Sequence, residues 1–406
     1  MRLRFYSAIF LGIFCGALSA DPAEFERCIA QLQQQATAHG ISRKTVDEVI
    51  PSLQYQARVI ELDRSQPEFT QSFADYFARR VSQGRIDKGR ALYAEIGDFL
   101  DELTRQYGVP GPYLLSFWGL ETNFGTYLGG MPTLDSLATL ACDQRRSEFF
   151  TTEFLLALEL LEREDLPVQK MKGSWAGAVG QTQFMPSSYL RYAKDGDGDG
   201  KVDLWNSRRD ALASAANFLN KLGWQREQRW GREVALPEDF DFAQNSGKSP
   251  LGDWMALGLR QANGGLLPVV AGMDAQLLMP AGHKGPVFLV YNNFEVIMRW
   301  NRSTSYALSV GHLADRIAGA GALLQTIPDD QPRLRRSDVI QMQELLSAKG
   351  FDSGKADGLL GPATRLALRE YQLSEGLAGD GFPDRKTLGL LGIEIPVPAA
   401  AAVPKL

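Results

Sequence analysis

Apolar residues recur at three- and four-residue spacing along most of the chain, so the body reads as mainly helical. Leu92, Ile96, Phe99, Leu100, Leu103 and Tyr107 keep that period, and Gly108-Val109-Pro110 closes the helix. Phe150 to Leu161 predicts another helix, ended before Pro167. Asp210 to Leu222 predicts a third, capped by Asn206 or Ser207 and stopped at Gly223. Pro286 to Tyr291 and Glu295 to Trp300 are richer in β-formers and read as short strands around Asn292-Asn293, or as a hairpin.

The two ends break this pattern. Residues 1–20 open with Arg2 and Arg4, run almost wholly apolar from Phe5 to Leu18, and finish in small residues, as a cleaved secretory signal does. That run falls short of the ~20 residues a membrane span needs, so no stable membrane anchor is expected. The predicted location is periplasmic, and the mature chain is too long for one compact domain. Residues 321–333 are Pro- and charge-bearing and mark a linker after a body at 21–320. A smaller helical unit follows at 334–393, and a disordered Ala/Pro-rich tail at 394–406.

One acid is out of place. Pro112-Tyr-Leu-Leu-Ser-Phe117-Trp118-Gly-Leu-Glu121 reads as buried helix, and Phe117 and Trp118 share the face of Glu121. Loss of solvation beside two aromatic rings raises a carboxyl pKa, which lets a glutamate act as a general acid near neutrality. A core glutamate paired with a distant Arg or Lys is the other reading. Glycosidic cleavage usually requires a second carboxylate. The nearest ones, Asp135 and Glu148, sit among polar or turn-like residues.

Glu121-Thr-Asn-Phe-Gly125 resembles the Glu-Ser/Thr-x-Phe/Trp-Gly signature of lytic murein transglycosylases. Gly173-Ser-Trp-Ala-Gly-Ala-Val-Gly-Gln-Thr-Gln-Phe-Met-Pro-Ser187 is similar to the long second motif of their B-type members. The resemblance implies a mainly α, lysozyme-like catalytic domain with small β elements. It implies cleavage between N-acetylmuramic acid and N-acetylglucosamine of peptidoglycan, with Glu121 as the single acid and then base, leaving 1,6-anhydro ends. It also assigns substrate contacts to Arg145, Arg146, Ser174, Gln183, Phe184, Asn301 and Tyr306. At Trp300 the family motif has Tyr, which puts any role for that hydroxyl in doubt. Residues 350–364, with Asp357-Gly-Leu-Leu-Gly-Pro-Ala-Thr364, resemble a peptidoglycan-binding domain. Peptidoglycan glycan strands are therefore the expected partner, with other cell-wall enzymes as further partners. A muramidase of the same fold and a non-catalytic scaffold are the competing readings.

Asp195-Gly-Asp197-Gly-Asp199-Gly200-Lys201 has the spacing of an EF-hand loop. The expected calcium donors are Asp195, Asp197, Asp199, the Lys201 carbonyl and Asn206, where a bidentate Glu usually stands. A solvated acidic turn is the alternative, and no organic cofactor is expected. Cys28 and Cys142 remain once the signal is removed, and an oxidising compartment favours their pairing over two separate buried thiols. The net charge of −5 gives no reason to expect nucleic acid as a partner.

Overall fold

The computed structural model describes residues 22–65, 72–245 and 247–395. The expected export signal and residues 396–406 of the tail lie outside them. Five helices lead the chain: α1 (Pro22–His39), α2 (Ala57–Ser65), α3 (Phe73–Arg80), α4 (Gln83–Tyr107) and α5 (Gly111–Thr122). The periodic run ending at Tyr107 is α4, bent at Ile96 (φ −119°, ψ 22°) and stopped by Gly108 in the left-handed region. α5 is apolar on every side, and among its residues only Pro112 and Glu121 escape full burial. A helix hydrophobic all round belongs in the middle of a core, and α4 and α12 (Thr304–Ile317) enclose it.

A second core forms from α1, α6 (Thr133–Ala141), α7 (Ser147–Arg163) and α8 (Pro186–Tyr192). A bond between Cys28 on α1 and Cys142 at the end of α6 ties these helices together, with the two Cα atoms 5.8 Å apart. Strand β1 (Met131–Pro132) pairs antiparallel with β2 (Lys172–Gly173) at its edge. Helix α9 (Arg208–Lys221) takes Ser207 as its cap, the Oγ accepting from Asp210 N at 3.2 Å.

The strands β3 (Gly231–Ala235), β4 (Lys248–Pro250), β5 (Arg260–Gln261), β6 (Asp274–Leu278) and β7 (Val287–Val290) make an antiparallel sheet in the order β4-β6-β7-β3-β5. Short α10 (Leu251–Ala256) packs on it. The second expected strand, Glu295 to Trp300, is instead part of helix α11 (Asn292–Trp300). Phe294 and Ile297 are buried at i, i+3 spacing while Glu295 faces outward. The side chain of buried Asn293 anchors the helix start, accepting from Gln225 N (2.7 Å) and donating to Gln225 O (2.9 Å) and Gln228 O (2.7 Å). Those contacts are distant in sequence, and they override the β-preference of Val296 and Ile297.

Residues 321–333 form neither helix nor strand and strap along the sheet. Leu324 N and Gln325 N donate to the Glu233 carboxylate (2.9 and 2.8 Å), and Gln331 Nε2 donates to Ala281 O (3.2 Å). Beyond them stand α13 (Arg336–Ala348), α14 (Pro362–Ser374) and α15 (Arg385–Leu390) around their own core. Their turns repeat one device. Gln343 binds Asp357, Gly358 N and Thr364, and Gln372 binds Asp380, Gly381 N and Thr387 in the same pattern. The Asp-Gly…Thr turn of the sequence is thus one of two copies.

Candidate active site

Glu121 ends α5 at the seam between the two helical cores. One ring spans that seam: Trp300 packs at a tilt on Phe117 of the first core (centroids 4.4 Å) and on Phe218 (5.2 Å), and meets Phe184 of the second core edge-on (5.5 Å). Chain direction reverses just after the acid, because Asn123, Phe124 and Gly125 all take positive φ (51°, 61° and 76°). Left-handed Phe124 is uncommon for a bulky residue, and its ring is held edge-on to Trp118 at 5.8 Å.

The two motifs prove to be one structure, joined by direct hydrogen bonds. Thr122 Oγ1 donates to Gln181 O (2.7 Å) and accepts from Gly125 N (3.0 Å). Trp118 Nε1 donates to Gln181 Oε1 (3.1 Å), so this ring turns to the motif loop and not to the acid. A Cβ on Gly125 would lie 2.5 Å from Gln181 Oε1, which explains why glycine closes the first motif. Gln181 was not among the residues expected in the site, although it stands inside the second motif.

The carboxyl of Glu121 is pushed up to about 7, chiefly by burial, while hydrogen bonds from Tyr306 and Trp300 pull it back. The side chain keeps some exposure to the cleft, but protein surrounds it more widely, and that wider shell strips its solvation. Tyr306 OH and Trp300 Nε1 (3.1 Å) both donate to Oε1. Among the described residues no donor falls on Oε2. Burial and the neighbouring acid keep Tyr306 well above its ordinary value, so it remains a donor throughout the neutral range.

The other expected contacts divide. Phe184 is buried against Trp300. Gln183 sits at φ 49° and donates both amide hydrogens inward, to Leu128 O and Gly180 O (3.0 Å each), leaving its own carbonyl. Ser174 Oγ accepts from Ala178 N (3.0 Å) and shapes the glycine-rich loop. Asn301 is exposed at the end of α11. Arg145 and Arg146 converge on a partner that sequence spacing did not reveal, nearly buried Asp63 of α2. Arg145 Nε lies 2.9 Å from Oδ2, and Arg146 binds Oδ1. Asp135 accepts from Gln54 N and Gln56 Nε2 (3.2 Å each) and Glu148 is exposed; among the described residues no hydrogen bond joins either to Glu121.

In the acidic loop, carboxylate oxygens of Asp195, Asp197 and Asp210 lie within 4.8 Å of one another. Asp210 is 1% exposed, and no salt bridge reaches any of the three among the described residues. Backbone N–H groups of Gly200 and Gly198 hold the Asp195 carboxyl below its ordinary value. Three converged carboxylates suit a hard cation with oxygen ligands. The other expected donors are placed as follows. Asn206 turns its amide to Asp203 Oδ2 (2.7 Å), and Asp199 Oδ1 accepts from Lys201 N (2.8 Å) outside the converged group. Asp210, on the following helix, joins Asp195 and Asp197 in the converged group.

A desolvated acid in an aromatic cleft, with donors steadying its conjugate base, fits a glycosidic-bond-cleaving enzyme of the lysozyme-like class. The chain belongs to the Transglycosylase SLT domain family, which matches residues 24–315, and a peptidoglycan binding domain matches residues 335–391. It is a lytic murein transglycosylase. Membrane-bound lytic murein transglycosylase B of Escherichia coli (strain K12) is 29% identical over 303 residues, covering 71% of this chain and 81% of that protein. SltB3 of Pseudomonas aeruginosa, solved in complex with NAG-NAM-pentapeptide, is 43% identical, covers 90% of this chain and 99% of its own, and superposes with a TM-score of 0.86. Escherichia coli Slt35, solved in complex with calcium, is 29% identical over 75% of this chain and 95% of its own, with a TM-score of 0.62. Among the described residues no helix is long and apolar enough to cross a membrane.

Proposed function

We propose that this enzyme cuts the β-1,4 bond between N-acetylmuramic acid and N-acetylglucosamine with Glu121 alone, acting as acid and then as base. The observation that carries the reading is the Glu121 carboxyl raised to about 7, with two donors on Oε1. The proton on Oε2 passes to the glycosidic oxygen as its bond to C1 of the muramoyl sugar breaks. The sugar's own N-acetyl oxygen steadies the positive centre, as in substrate-assisted cleavage. The Glu121 carboxylate, now held by Tyr306 and Trp300, removes the proton of the C6 hydroxyl. That oxygen closes on C1, giving a 1,6-anhydro ring and restoring the acid without water. An intramolecular nucleophile gains heavily from proximity.

Ser174, the Gln183 carbonyl, Asn301 and Phe184 then line the sugar path. Arg145 and Arg146, neutralised in part by Asp63, fasten α2 beside α7 and keep their outer N–H groups for the glycan or its peptide. Calcium, if bound by Asp195, Asp197 and Asp210, would fix the loop to α9 and support Gln181 N, which donates to Leu204 O at 2.8 Å. Its role is structural. The C-terminal module holds the enzyme on glycan strands by raising effective concentration, and the place of action is the periplasm. The test is digestion of purified sacculi, with Glu121→Gln as the control.

A further inference from the structure

A cavity of about 690 Å³ lies between the catalytic body and the C-terminal module. Its polar wall is cationic: Arg299, Arg302 and Arg365 line it together with Ser303, Thr304 and Ser72, and among the described residues no acid does. Arg299 is fixed by Nη1 donating to Leu222 O at 2.7 Å. Neither Arg302 nor Arg365 has a salt bridge among the described residues. Burial lowers Arg365 from its ordinary value, and the charge of Asp380 only partly opposes this. Two helices also start at this wall, α12 after Ser303 and α14 after Gly361, and helix starts favour negative charge. Unpaired guanidinium groups in a partly dry cavity bind carboxylates in a planar, bidentate fashion. The volume falls within the range of ligand sites.

The place of this wall in the chain matters as much as its charge. Residues 302–305 are bracketed by Trp300 and Tyr306, the two donors to Glu121. What fills the cavity therefore bears on the segment that sets the catalytic carboxyl.

We propose that this interdomain cavity receives the peptide stem of peptidoglycan, with Arg302 and Arg365 gripping its free carboxylates while the glycan lies at Glu121. This rests on the peptidoglycan reading and extends it. Specificity for peptide-bearing strands then comes from the junction of the two domains, and neither domain alone supplies the whole site.

The experiment measures fluorescence anisotropy of labelled L-alanyl-γ-D-glutamyl-diaminopimelate titrated with the full-length protein. Saturable binding is expected, weakened about tenfold when the peptide carboxylates are amidated and about tenfold in Arg302→Gln/Arg365→Gln. The double variant should keep its melting temperature and its rate on peptide-free glycan chains. If the variant melts early, the amidated peptide on wild-type protein decides the matter. Equal binding of native and amidated peptide, no saturable binding, or equal displacement by inorganic phosphate overturns the proposal. Anhydro products from peptide-free glycans, scored separately, show whether the enzymatic reading stands when the peptide site fails.

Discussion

The indole N–H of Trp300 donates to Oε1 of Glu121 across 3.1 Å, at the position where the resembling motif places a tyrosine. The exchange removes a hydroxyl yet keeps a donor aimed at the acid. The larger ring adds contact with Phe117, Phe184 and Phe218, so one side chain both closes the seam between two cores and steadies the carboxylate. Tyr306 supplies the second donor from the first turn of α12.

Burial raises the carboxyl and these donors oppose it, and together they set the pH response. Activity requires protonated Glu121, so kcat/KM should fall as pH rises through about 7. Tyr306→Phe removes a bond that favours the ionised form, and the carboxyl should rise further. The alkaline limb of the profile then moves to higher pH while the peak rate drops. A limb displaced to lower pH in the variant would contradict this assignment of the hydrogen bond.

Glu121→Gln should abolish lysis by at least the ~10²–10⁴-fold typical of general acid–base groups and leave the fold intact. Stability gives an independent check. The folded carboxyl titrates near 7 against an ordinary value of 4.5. Protonation therefore favours the native state, and the contribution is full below 4.5 and lost as pH rises through 7. Relative to wild type, the amide variant should gain melting temperature at pH 8 and not at pH 4. An equal shift at both values would mean that Glu121 is not buried as an acid.

Much of this was legible in the residues. Glu121 stood out because nothing else in its helix is charged, and α5 came out as buried as its apolar residues imply. What could not be read was tertiary. Asp63 gives no local sign that it will hold Arg145 and Arg146 from 82 and 83 residues away. Asp210 lies past the end of the loop template, on α9, so a fixed spacing rule gives no sign that its carboxylate lies beside those of Asp195 and Asp197. Residues 295–300 misled because Val296 and Ile297 suit strands, and only the distant anchorage of Asn293 decides for helix.

Calcium should raise the melting temperature, since a ligand of the native state stabilises it, by about 2.7 kcal/mol at a hundredfold excess over Kd. Asp195→Asn with Asp197→Asn should erase that increment, because both side chains belong to the converged group. Calorimetric scans with calcium and with chelator measure it. An unmoved wild-type curve, in protein shown to be metal-free, would leave the loop as an acidic turn.

Removing residues 334–406 should weaken sedimentation with sacculi and spare cleavage of short peptide-free glycans, because Glu121, Trp300 and Tyr306 all precede the cut. The cut also breaks the contact of His283 Nδ1 with Asp380 Oδ2 (2.6 Å), so a lower melting temperature is expected. Equal sedimentation of both proteins would deny the module a binding role.

Mass spectrometry of the muropeptides released from purified sacculi tests the central claim most directly. If Glu121 acts alone and the C6 hydroxyl is the nucleophile, as proposed, the released muramic acid should end in the 1,6-anhydro form. Each such product is lighter than its hydrolytic counterpart by one water, about 18 Da, and none should appear with Glu121→Gln. Predominantly reducible muramic ends from the wild-type enzyme would contradict the account and make it a muramidase.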